Sequence, residues 1–289
     1  MPAFQDPARF RFLPGAKIDL AALPTRSDAR DEVEREARAR LRKDARRLAR
    51  AQSLLVLFQG MDASGKDEAI AAVMAAVDPQ GCEYKQFQQP TAKELRHDYL
   101  WTAAQALPAR GQIGIFNRSY YEHVVTDRVH PEKLAEQGLP SEAHRGIWAA
   151  RCRQINAFER YLVENGILVV KLFLHISKAE QRRRLLARLE RPEQRWQFSP
   201  SDVEDHRLWD AHMAAYSTAL TRTNTALAPW HVIPADRPWF ARAAVASVVV
   251  ETLEALHDGY PEPDNAARAE LEQARAALRD AAEGEKVSR

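Results

Sequence analysis

Gly60, Gly65 and Lys66 stand in the stretch FQGMDASGKDEAI, residues 58–70, with the G-x-x-x-x-G-K spacing of a phosphate-cradling loop. The pattern follows the apolar run SLLVLF and precedes the helix-compatible DEAIAAVMAAV, the strand–loop–helix context the motif requires. Glycines let the backbone approach an anion, a helix N-terminus supplies free N–H groups, and Lys66 reaches a phosphate. The phosphate-binding set is therefore read as Gly60, Ala63, Ser64, Gly65, Lys66 and Asp67. Asp67 occupies the usual Ser/Thr position and reads as readily as a helix-dipole partner as a functional group. Asp62 lies inside the loop, where its charge would repel phosphate unless a cation compensates, so it is expected to handle Mg²⁺ (or Mn²⁺) directly or through water.

Two further groups carry matching chemistry. The run IGIFNRSYYEH, residues 113–123, places Asn117 and Arg118 at the end of a strand, and arginine's planar fork of donors suits a phosphate and its developing charge. Arg182, Arg183, Arg184, Arg188 and Arg191 cluster on one predicted helix. Of these, Arg184, Arg188 and Arg191 share a face while Leu185, Leu186 and Leu189 are expected to pack inward. Such a helix is either a solvated face or a lid that closes over the transferred group. Trp196, Phe198, Trp209 and Trp230 read as core or hinge residues. The nine histidines have no H-x-x-x-H or similar spacing, so each is first a surface or hydrogen-bonding residue.

The elements that must position these groups alternate. Strands are predicted over 53–59, 83–88, 112–117, 167–176 and 230–234, with helices between them, which argues for a parallel sheet covered on both faces. Ligands in such folds sit beyond the C-terminal strand ends, so 59–66, 117–119 and 176–177 are expected to converge. Ser201 or Asp202 is the expected cap of the helix after the Ser-Pro-Ser-Asp segment. A proline-bearing arm and a charged helix fill 1–50, the core domain spans 51–260 with a lid at about 178–210, and 261–289 form a helical tail. With 289 residues, 45% apolar and 28% charged, the chain can bury a full core. A net charge of +2 makes any polyanion site local. No signal peptide or membrane-length apolar run is evident, and the expectation is a reduced, cytoplasmic protein without nucleic-acid or membrane partners.

GMDASGKD and FNRSYYEHV, together with PTAKELRHDYLW at 90–101, PARGQIGIF at 108–116, LHISKAEQRRRLLARLE at 174–190, FSPSDVEDHRLWD at 198–210 and APWHVIPADRPWF at 228–240, resemble the second family of polyphosphate kinases. The resemblance runs in order through nearly all of 50–250. It implies a three-layer α/β P-loop kinase fold with a helical lid, assembled as homodimers or homotetramers. It also implies phosphate transfer between inorganic polyphosphate and nucleotides (AMP, ADP and ATP, with guanine nucleotides open), with Mg²⁺ as cofactor. It makes Asp62, Lys66, Arg118 and Asn117 the catalytic set, Glu122 a metal-linked neighbour of Asp62, and Arg128 a further phosphate contact; Arg184 and Arg188, on the lid-like helix face, are read from that helix as phosphate contacts too. Asn117 together with Glu122 resembles the AMP/ADP-accepting variant.

Four departures from the family pattern stand out. Glu68 replaces a small glycine, and Gln88, Gln197 and Pro238 replace lysines. Each change disfavours a long polyanion; Lys85 compensates for Gln88 only if both reach the same surface. The competing expectations are an ATP-dependent nucleoside monophosphate kinase and a weakly active polyphosphate- or nucleotide-binding homologue.

Overall fold

Seven consecutive buried residues, SLLVLFQ, can satisfy their backbone only as a central strand with neighbours on both sides. In the computed structural model, which describes residues 7–27, 53–75, 82–255 and 265–287, this run is strand β1 (Ser53–Gln59). The other strands are β2 (Cys82–Gln86), β3 (Ile113–Asn117), β4 (Ile167–His175) and β5 (Trp230–Pro234), in the order β2-β3-β1-β4-β5 with every pairing parallel. All five lie where the sequence predicts strands, β1 and β5 with the same bounds and the others with ends shifted by one or two residues.

The described helices, numbered in chain order, are α1 (Lys66–Met74), α2 (Trp101–Gln105), α3 (Thr126–Val129), α4 (Pro131–Ala135), α5 (Ile147–Glu164), α6 (Lys178–Glu190), α7 (Pro200–Arg207), α8 (Trp209–Thr223), α9 (Pro238–Ala255) and α10 (Asn265–Val287). Helix α9 packs on α1, and α5 packs on β4 and α8, so helices cover the sheet. The N-terminal segment is pinned to this body: Phe10, Ile18 and Leu20 are buried, and Arg11 bridges His231 at the β5 edge. The helix predicted over 29–51 lies outside the described residues. Helix α10 belongs to a separate unit, 258–289. Among the described residues no helix is long and apolar enough to cross a membrane.

Two local expectations need correction. Helix α7 is capped by Ser199 rather than Ser201 or Asp202: Pro200 occupies the first turn, and Asp202 returns a bond to the Ser199 N–H, completing a capping box. Of the three leucines on α6 only Leu185 is buried; Leu186 and Leu189 face out, because the face turned to the body runs through Gln181, Arg184, Leu185 and Arg188.

Candidate active site

The chain leaves β1 through a loop whose conformation demands its glycines. Gly60 has φ +146°, and a Cβ there would stand 2.7 Å from the Leu174 carbonyl oxygen and 2.9 Å from Ser64 Oγ. No side chain fits between the loop and β4. Gly65, at φ +93°, turns the chain into α1, and Ala63 is also left-handed at φ 59°. Lys66 folds back over the loop, its Nζ donating to the carbonyls of Gly60 at 2.8 Å and Met61 at 3.0 Å. An ammonium has three donors, so one remains for a ligand. Burial pulls the Lys66 pKa below its ordinary value, and the Asp62 carboxylate opposes the fall. Ser64 Oγ is buried without a hydrogen-bond partner, a polar atom whose position asks for an acceptor.

Parallel pairing of β1 with β3 sets Asn117 opposite Phe58, and the next residue's N–H, that of Arg118, donates to the Phe58 carbonyl at 2.9 Å. Arg118 then adopts φ 58°, a left-handed conformation unusual for a side-chain-bearing residue. That turn delivers its guanidinium onto Asp62, with which it forms a hydrogen-bonded ion pair, and within 3.9 Å of Glu122 Oε2. Burial resists charge on Asp62, but Arg118 and then Lys66 outweigh it and hold the carboxyl below the usual range. Asp62 in turn raises the Arg118 pKa further.

The neighbours of this pair have bracing tasks. Asn117 Nδ2 donates to Asp67 Oδ1 at 2.6 Å and to the Tyr84 hydroxyl at 3.1 Å, tying the end of β3 to the first turn of α1 and to β2. Gln59, in the amide orientation that satisfies its surroundings, donates to Glu122 Oε1 at 3.0 Å and accepts from Ser119. Thr126 holds the other Glu122 oxygen. Glu68 is exposed in the first turn of α1, its Oε2 3.7 Å from where a Gly65 Cβ would lie.

The arginines divide. Arg184 is only 13% exposed in its side chain and is spent on the body: it donates to Ala63 O at 3.0 Å, to Ala235 O at 2.7 Å and to Glu180. It buttresses the loop from behind. Arg188 lies near enough to Asp202 to oppose the rise that burial imposes on that carboxyl's pKa. Arg128 is not brought to the loop; it lines a different hollow with Trp148, Cys152 and Arg222. Trp196 is 79% exposed, whereas Trp209 and Trp230 are core residues as expected. Lys85 and Gln88 line one hollow beside the end of β2, together with Glu94, His97 and Tyr99, so the lysine does share Gln88's surface.

Sequence reasoning missed the acidic side of the crevice. Asp202 and Asp205 on α7 both act electrostatically on Asp62, and Gln181 of α6 donates to the Asp62 carbonyl at 3.1 Å. The available signal was the i, i+3 spacing of two aspartates within SPSDVEDH.

The family model described as Polyphosphate kinase 2 (PPK2) matches residues 25–259. An ADP-polyphosphate phosphotransferase of Rhodopseudomonas palustris is 43% identical over 281 residues, covering 93% of this chain and 97% of its own length. An AMP/ADP-polyphosphate phosphotransferase of Meiothermus ruber is 45% identical over 213 residues, covering 74% and 76%. The crystal structure of polyphosphate kinase 2 from Arthrobacter aurescens TC1 superposes with a TM-score of 0.84 at 34% identity, covering 95% of this chain and 97% of that one. That similarity extends to the five-stranded parallel sheet and its flanking helices, the P-loop kinase fold expected from the sequence.

Proposed function

The chain belongs to the polyphosphate kinase 2 family, and on that premise we propose that it moves phosphoryl groups between inorganic polyphosphate and adenine nucleotides. AMP and ADP are the acceptors and ADP and ATP the products, with the reverse direction open in principle. The observation that carries the reading is the convergence of Lys66, the orphaned Ser64 hydroxyl and the Arg118–Asp62 pair on one crevice.

A terminal phosphate oxygen of the nucleotide attacks the terminal phosphorus of the polymer, one P–O bond forms, and the bridging P–O bond breaks with its electron pair left on the shortened chain. The acceptor oxygen is already ionised at neutral pH, so no side chain has to remove a proton, and positioning with charge neutralisation carries the step. Lys66 uses its third donor on phosphate, and Arg118 uses the guanidinium edge not engaged by Asp62. Asn117 and Asp67 hold the ends of β3 and α1 in register around the reacting groups.

Asp62 and Glu122 are hard oxygen donors, 17% and 18% exposed, that approach the same guanidinium, and this donor set fits Mg²⁺ or Mn²⁺. Bound there, the ion supplies charge neutralisation on phosphate oxygens.

Purified protein given polyphosphate or ATP as sole donor, with AMP, ADP, GMP, GDP or dTMP as acceptor, tests the reading by product separation. Polyphosphate-dependent formation of ADP and ATP is expected. Transfer from ATP alone removes the proposal in favour of a nucleoside monophosphate kinase, and no transfer from either donor leaves a binding protein. The same preparation on light scattering checks the proposed homodimer or homotetramer.

Glu68 provides a graded prediction. Its carboxylate stands beside the loop in water, where one unit charge acts on another with about 1 kcal/mol at 4 Å. Glu68→Ala is expected to lower the KM for polyphosphate by about two- to fivefold at low salt. The gain should fade toward 1 M salt, where the screening length is only about 3 Å. Stability should fall slightly, because an acidic residue is lost from a helix N-terminus. Steady-state kinetics across a salt series measures both trends.

A further inference from the structure

We propose that His130, Asp205 and His212 form a site for a divalent transition-metal cation of the Zn²⁺ class, which staples α7 to the body of the protein. The three residues come from separate elements: His130 from the junction of α3 and α4, Asp205 from α7 and His212 from α8. Asp205 Oδ1 lies 2.8 Å from His130 Nε2 and 3.1 Å from His212 Nε2, and one ligand atom from each residue lies within 4.8 Å of the others. Two imidazoles and a carboxylate are the donor set of borderline cations, whereas Mg²⁺ takes oxygen ligands and keeps water. Both histidines are buried, at 7% and 4% exposure.

The second ring nitrogen of His130, Nδ1, lies 3.3 Å from Glu132 Oε1, a 65% exposed carboxylate, while Nε2 faces Asp205. With a cation on Nε2, Nδ1 would carry the N–H, and Glu132 would be the outer carboxylate of a carboxylate–histidine–metal arrangement. The coordination is open, with three protein donors, leaving room for water.

None of its three ligands is one of the proposed Mg²⁺ donors Asp62 and Glu122, although Asp205 is close enough to Asp62 to bear on its charge. Helix α7 lies in the 178–210 segment read as a lid, so occupancy would restrain that segment at its base. Nothing in the proposal depends on the phosphotransferase assignment.

The test uses the full chain, stripped with chelator and titrated with Zn²⁺ and, as a spectroscopic probe, Co²⁺, in the presence of excess Mg²⁺. One equivalent bound at micromolar metal, visible Co²⁺ bands that Mg²⁺ does not abolish, and slowed amide exchange across 200–207 are expected. His212→Phe and Asp205→Asn should each abolish the bands, Glu132→Gln should weaken binding by about tenfold, and Asp62→Asn should leave it intact. Thermal melts without metal verify that each variant is folded. Absence of stoichiometric binding, binding equally strong in His212→Phe and Asp205→Asn, or binding that leaves exchange in α7 unchanged overturns the proposal. So does an imidazolium signature for His130 that persists when metal is added.

Discussion

Arg118→Ala is expected to lower kcat for phosphate transfer from polyphosphate by about a thousandfold or more, the scale seen when an arginine that neutralises transferring phosphate is removed. Its KM effects should be smaller, because Lys66 and the loop backbone still offer donors to the ground-state phosphates. Arg118→Lys should recover only part of the loss, since a point charge on a flexible stem replaces a planar fork that engages Asp62 and phosphate together. Arg118→Gly separates chemistry from backbone strain. The residue sits at φ 58°, where alanine remains strained and glycine does not. The glycine variant should therefore be more stable than the alanine variant by about 1 kcal/mol, while both are equally inactive. Asp62→Asn should lose activity too, and the double variant should lose little beyond either single one, because the two side chains act as one unit. Chemical denaturation and single-turnover kinetics on this set provide the readout. An Arg118→Ala protein retaining about a tenth or more of wild-type kcat would be incompatible with a phosphate role of the size expected from a transition-state arginine.

Much of this site is legible in the chain because it is local. A strand–glycine loop–helix run places Gly60, Gly65 and Lys66 within seven residues, so the loop and its lysine can be read from one short segment. Arg118 is legible for the same reason once β1 and β3 are adjacent, since the register then delivers it to Asp62. The alternation of strands and helices likewise points to the parallel sheet. What stayed hidden depends on long-range packing. Arg184, Arg188 and Arg128 have the same residue type, yet one backs the loop, one lies by Asp202, and one lines another hollow. Periodicity assigns a helix face without saying what the face meets, which is why Leu186 and Leu189 point outward. The His130, Asp205 and His212 cluster has no spacing to read, because His130 and His212 are separated by β4 and by α4 to α7.

The buried lysine of β4 is a further case, and it carries the second large prediction. Lys171 interrupts ILVVKLFLH at the centre of the sheet, between Leu57 of β1 and Trp230 of β5, and is 0% exposed. Its Nζ donates to Glu159 Oε2 at 2.7 Å, to Thr223 O at 2.6 Å and to the Tyr121 hydroxyl at 3.1 Å. Tyr120 and Tyr121 both donate to Glu159 Oε1, at 3.0 and 2.8 Å. Burial drives both phenol pKa values far above their ordinary range, so the tyrosines stay neutral donors. These two tyrosines lie between Arg118 and Glu122 in the chain, and the network thus clamps the segment that carries them. Glu159→Gln should destabilise the protein by about 3–5 kcal/mol, because it leaves a buried ammonium without its counter-charge. That loss corresponds to a fall in Tm on the order of 10 °C. Replacing both partners, Glu159→Leu with Lys171→Met, should restore most of the stability, since an apolar pair avoids the desolvation of two ions. It should not restore turnover, because Tyr120 and Tyr121 lose their shared acceptor and the Arg118 turn loses its anchor. Thermal melts beside kcat on the single and double variants separate the two effects. A double variant with wild-type stability and wild-type kcat would reduce the network to packing; one that melts normally yet turns over slowly makes the buried ion pair a positioning device for the arginine it never touches.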